Sequence, residues 1–144
     1  MKFMKVVRQV IAAVLIVGAL VAAVAMYITY PYSSIIKWRL ESAGVSDVVR
    51  EADSLLRKYP PSEDGYSIVE AGELPPYISE LEPYNAIVAP EGVYIRCGSF
   101  YSRDWGVFIS APDLSTDVMP EGGSTFEEIS DRVFLYEPKS WKYR

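Results

Sequence analysis

The chain has 144 residues, half of them apolar and 13% aromatic, with ten prolines and nine glycines; this excludes a wholly disordered chain and a coiled coil and suits one domain. The formal charge of −5 is unevenly spread: Lys2, Lys5 and Arg8 precede the first acidic residue, Glu41, and beyond them eleven basic side chains face nineteen acidic ones, a net charge of −8. Such a surface repels phosphate backbones, so the expected partners are a lipid bilayer and another protein, with no nucleic acid.

Residues 1–9 read as a basic N-terminus on the cytoplasmic side. From Val10 to Tyr30 no charge occurs, and ten of the 21 residues are Val, Ile or Leu. As a helix, this run reaches roughly 31 Å, close to the hydrocarbon thickness of a bilayer of about 30 Å. Each Val, Ile or Leu favours insertion by about 0.3 to 0.6 kcal/mol. Lys2, Lys5, Arg8 and the α-amino group outnumber Lys37 and Arg39 beyond the run, which predicts a single-pass span over 10–30 with the C-terminal part extracytoplasmic. Tyr27, Tyr30, Tyr32 and Trp38 fall where amphipathic rings favour the headgroup layer. The competing reading is a cleaved secretory signal, with Ala23-Val24-Ala25 as its cleavage site and a secreted or periplasmic product beginning at Met26.

Pro31 ends the span, and 31–45 is a juxtamembrane segment with a short helix from about Ser34 to Ala43, stopped by Gly44. Ser46 reads as the N-cap of a second helix, with Asp47 in its first turn, Arg57 and Lys58 in its last, and a stripe of Val48, Val49, Ala52, Leu55, Leu56 and Tyr59. After the turn-like Ser62 to Gly65 the period becomes two. Tyr66 to Glu70 reads as a strand, Pro76 to Leu81 as a helical turn, and Ala86 to Ala89 with Val93 to Cys97 as a hairpin closed by Pro90-Glu91-Gly92, the glycine supplying a left-handed residue. Trp105 to Ser110 and Val133 to Tyr136 complete the strands. The fold class is α+β: a transmembrane helix, then over 46–138 an antiparallel sheet of about four to five strands packed on one amphipathic helix. Along Val93 to Cys97, Val93, Ile95 and Cys97 share one face and Tyr94 and Arg96 the other.

Leu74-Pro75-Pro76, Gly92-Val93-Tyr94-Ile95 and Trp105-Gly106-Val107-Phe108-Ile109, in that order, resemble small bacterial membrane-anchored proteins over less than a third of the chain. The resemblance implies a prokaryotic source and brings no activity.

The chain has no histidine, which removes Ser-His-Asp triads, Cys-His dyads, the usual zinc sites and a near-neutral imidazole base from its own repertoire. Cys97 is the lone thiol and reads as a small buried hydrophobe, with Arg96 directed to the opposite strand face. Glu80 with Glu82, and Asp113 with Asp117, are available as carboxylate pairs for a hydrolase. Asp113, Ser115 and Asp117 begin like a calcium loop, but Val118 stands where that loop needs glycine and Ser124 where it needs a bidentate glutamate. Ser124-x-x-Glu127 and Thr125-x-x-Glu128 are capping boxes and predict a helix start. No metal site, cofactor or catalytic residue is expected.

Two features remain as binding candidates: the aromatic group Tyr94, Phe100, Tyr101, Trp105 and Phe108, and the tail over 139–144, where Lys139, Lys142 and Arg144 alternate with Trp141 and Tyr143. The expected function is a non-catalytic envelope protein whose acidic domain binds another protein. The alternatives are a membrane-held immunity or inhibitor protein that masks a basic toxin or enzyme, and a carboxylate-dependent hydrolase.

Overall fold

The computed structural model describes residues 2–29, 32–60, 65–100, 103–114 and 124–138. The chain forms two compact units, Met1–Ser34 and Ile35–Arg144. The first is dominated by helix α1 (Lys2–Thr29), which begins eight residues before the predicted 10–30 boundary, so that Arg8 lies within the helix. Every side chain described in it is exposed. Among the described residues, Val6–Val24 is the one stretch of helix long and apolar enough to cross a membrane, judged by length and composition.

The second unit is α+β. Helix α2 (Tyr32–Ala43), in this unit from Ile35 onward, ends at Gly44, whose φ of +90° is natural to glycine and whose N–H donates to the Leu40 carbonyl at 3.1 Å. Helix α3 (Val45–Lys58) follows at once. Gly44, not Ser46, stands at its N-cap position: the α2 terminator and the α3 start share one residue, which leaves Ser46 inside the first turn. Asp47 and the pair Arg57 and Lys58 lie in the first and last turns, where the helix dipole favours their charges.

Then come β1 (Ser67–Glu70), a short 3₁₀ turn at Ala71–Glu73, α4 (Pro76–Ser79), β2 (Asn85–Ala89), β3 (Gly92–Phe100), β4 (Arg103–Ser110), β5 (Ser124–Ser130) and β6 (Val133–Pro138). The sheet is antiparallel throughout, in the order β1-β2-β3-β4-β6-β5. Among the described residues it thus has six strands rather than four to five. The additional strand is β5, at the place where the two capping boxes predict a helix start. A cap is worth about 1 kcal/mol, whereas burying a phenylalanine side chain is worth about 1.5–3 kcal/mol. Phe126 gains part of that burial: it pairs across the sheet with Tyr136 and packs, half-buried, on the aromatic cluster. Glu127 and Glu128 are accordingly exposed strand residues.

Pairing of Ala89 with Gly92 makes Pro90-Glu91 a two-residue loop, and Gly92 is the first residue of β3 rather than a turn residue. Its φ is +152°, and a Cβ there would overlap the Ile109 carbonyl oxygen. Glycine is needed on two counts: a positive φ that L side chains rarely adopt, and the close approach of two strands.

The register lays two rows of side chains on the face covered by α3. One runs Val69, Ala86, Ile95, Val107 and Leu135; the other runs Val88, Val93, Ile109 and Val133. All are buried, as are Val48, Ala52 and Leu55 of α3 and Ile36, Leu40 and Ala43 of α2. Arg132, at φ +67° in the β5–β6 turn, latches the layers together. Its guanidinium pairs with Asp53 of α3 at 2.5 Å and donates from Nε and Nη2 to the Ser110 carbonyl at 3.0 and 2.8 Å.

Candidate functional site

The opposite face of the sheet is aromatic where it crosses β3, β4, β6 and β5. One cross-strand row reads Ile68, Ile87, Tyr94, Phe108, Phe134 and Glu128; the next reads Glu70, Asn85, Arg96, Gly106, Tyr136 and Phe126. The Tyr94 and Phe108 rings lie 4.6 Å apart, Tyr94 and Tyr136 5.8 Å, and Phe108 and Phe126 5.7 Å. Leu114 packs on the same cluster. Toward β1 the row is open: Ile68 is 49% exposed, while Ile87 and Tyr94 are half-buried.

The five aromatic binding candidates therefore divide. Phe108 is fully buried at the cluster's centre and offers no surface to a partner. Trp105 is also buried; strand alternation puts it on the other face of β4, where its indole lies over Gly98, and a Cβ at Gly98 would overlap it. Tyr94 is the accessible member of the cluster: its hydroxyl donates to Glu91 at 3.1 Å, and burial first, then the Glu91 carboxylate, pushes its pKa up. Phe100 is described in backbone only. Tyr101 lies outside the described residues, as do Tyr30, Asp117 and the tail 139–144. Tyr27 and Tyr32 are described in backbone only, and Trp38 is exposed.

A polar group missing from the sequence-based candidates closes this face at its other end. The Arg96 guanidinium pairs with Asp104 at 2.6 Å, donates to Asn85 Oδ1 at 3.3 Å and lies 4.6 Å from the centre of the Tyr84 ring. Tyr84 returns a hydrogen bond from its hydroxyl to Asp104 Oδ1 at 2.7 Å. Burial, followed by that hydrogen bond, pushes the Tyr84 pKa up, so the phenol remains a donor at neutral pH. Tyr84 is 37% exposed, which makes this a partly accessible patch with a planar cation stacked on a ring, the side-chain chemistry favoured at protein interfaces. Alternation along β3 does place Arg96 beside Tyr94. What sequence lacked was the β3–β4 register, which brings Asp104 opposite Ser99 and so beside Arg96.

The remaining candidates have structural settings. Cys97 sits at an irregularity between Arg96 and Gly98, where the strand alternation slips. Burial pushes its thiol up to about 12, outweighing the opposing effects of Arg39 and the Val107 backbone hydrogen bond. A thiol so protonated is a poor nucleophile. Glu82 pairs with Arg39 at 2.5 Å, while Glu80 and Asp113 are exposed. Among the described residues no group of three or more His, Cys, Asp or Glu side chains could hold a metal ion.

No protein-family model, curated protein or solved structure matches this chain, so the resemblance carried by Leu74-Pro75-Pro76 and the two strand segments stands on those residues alone.

Proposed function

We propose that the protein is a non-catalytic, single-pass membrane-anchored protein of the cell envelope, its N-terminus cytoplasmic and its acidic α+β domain extracytoplasmic, where the domain binds another protein. The observation that carries this reading is α1: Val6 to Val24 are all exposed, with Leu15 at 68% and Ile16 at 62%. Apart from Arg8 and Gln9, these nineteen residues are apolar, and apolar side chains in water are stabilised by transfer to lipid. The excess of positive side chains before the apolar run supports the orientation. The Tyr84–Arg96–Asp104 patch, next to half-buried Tyr94, supports a protein partner.

Val17→Arg tests the anchor. A central arginine costs about 2.5–3.5 kcal/mol on insertion, and the protein is expected to leave the carbonate-washed membrane fraction or to fail export. Retention at the wild-type level removes the span. N-terminal sequencing of the mature chain distinguishes an anchor beginning at Met1 from a leader cleaved after Ala25. A photo-crosslinking residue at Tyr84 tests the partner: it should trap a discrete species in intact cells that the same residue at exposed Glu73 does not. Equal yields at both positions remove this patch as the interface. The net charge of −8 beyond the basic N-terminus favours the immunity reading if the trapped species is a strongly basic toxin or enzyme.

A further inference from the structure

Among the described residues the sheet ends in two open edges, β1 and β5, and they differ. β5 is interrupted by a register irregularity between Glu128 and Ser130 and presents exposed Glu127 and Glu128, features that hinder pairing with another chain. β1 runs in unbroken register with β2 from Ser67 to Glu70. Alternate residues of an edge strand turn their N–H and C=O groups away from the neighbouring strand, so β1 offers about four backbone groups to an added strand. So few bonds hold weakly in water, and side chains must select the occupant.

Two such side chains share one face of this edge. Ile68, 49% exposed and in register with half-buried Ile87, offers an apolar contact, and exposed Glu70 offers a carboxylate two residues further along. The charge extends beyond Glu70. From Tyr59 to Ile95, a stretch that includes β1, α4 and β2, the chain has seven acidic side chains and neither Lys nor Arg, which accounts for nearly all of the net charge of −8 beyond the basic N-terminus.

We propose that β1 accepts an extended, basic segment of a partner protein as an additional antiparallel strand, with an apolar residue opposite Ile68 and a Lys or Arg opposite Glu70. This rests on the reading that the domain binds another protein, and it names the chemistry of that partner. Pairing of β1 with a second copy is disfavoured, because it brings two acidic stretches together. The row Glu70, Asn85 and Arg96 joins the edge to the Tyr84–Arg96–Asp104 patch on the same face, so one partner covers both. The attraction is between exposed charges and weakens in high salt.

The experiment adds the synthetic peptide acetyl-Lys-Val-Val-Thr-Lys-amide to the full chain in detergent micelles and follows backbone amide exchange. Millimolar peptide should slow the outward-facing amides of Ser67–Glu70 about tenfold or more. An N-methylated peptide, or one with Glu in place of Lys, should leave them unchanged, as should the original peptide on the surface variant Ile68→Lys. No slowing, equal slowing by either altered peptide, or slowing that follows protein concentration without peptide, as self-pairing would give, overturns the proposal. In cells, Ile68→Lys should lower trapping by a photo-crosslinking residue at Tyr84 about tenfold. Undiminished trapping overturns the edge site and leaves the protein-binding reading standing, whereas a chain with Ile68 intact that traps nothing at Tyr84 overturns that reading instead.

Discussion

The two faces of the sheet bury different chemistry. The face under α3 is aliphatic, with Val88, Val93, Ile95, Val107, Ile109 and Val133 fully buried. The other is aromatic, with Phe108 fully buried but Tyr94 and Ile87 half-buried and Ile68 exposed. β-Branched side chains have few rotamers and tile a flat helix-on-sheet contact, whereas large rings bury area among themselves in tilted and edge-on pairs without a covering helix. A face closed by its own side chains is the one that can remain partly open to a partner.

The comparison can be broken first at Phe108. Phe108→Ala removes the ring at the centre of the aromatic cluster and should cost about 3–5 kcal/mol in denaturant unfolding. A loss below about 1 kcal/mol would show that the aromatic face is decoration on an aliphatic core. Next comes the latch between layers. Arg132→Ala removes charge-assisted hydrogen bonds to Asp53 and Ser110 from partly exposed groups and should cost about 1.5–3 kcal/mol. In a double-mutant cycle with Asp53→Ala, the two changes should be clearly non-additive. Ile95→Val, a single methylene from the aliphatic face, should cost about 0.5–1.5 kcal/mol.

The smallest effect belongs to Cys97, where the alternation that separates the faces slips. Its thiol titrates at about 12 against an ordinary 9.0, so at pH 8 it holds roughly a thousandth of the usual thiolate. A disulfide reagent should label the folded chain more slowly than the unfolded chain, the lower thiolate fraction outweighing the greater nucleophilicity of a more basic thiolate. The fold favours the neutral thiol, so its contribution to stability is intact below pH 9 and is lost as pH rises from about 9 toward 12. Labelling at equal rates in the two states would place the sulfur in solvent.

Much of the fold is legible along the chain because it is written in local signals. Gly44, Pro90-Glu91 and the period change after Lys58 mark the helix ends and the first hairpin. The two faces of β3 follow from alternation alone. β5 was not legible: its capping boxes are a local preference, and the pairing that overrides them lies in β6, beyond a turn. The site was half legible for the same reason. Tyr94 and Phe108 stand out along the chain as aromatic candidates, but their neighbours Phe126, Phe134 and Tyr136 come from strands whose order the sequence does not state, and Tyr84 joins Asp104 across 20 residues. Composition cannot tell Trp105, set over Gly98, from a ring on the aromatic face.

The order β4-β6-β5 also governs when the domain can fold. β5 has no partner until β6 exists, and α3 waits 79 residues for Arg132 to meet Asp53. A chain made from its N-terminal end therefore presents α3 and the first four strands before the acceptor for β5 exists. The sheet is completed, and the latch between helix and sheet set, only once the last strand is present.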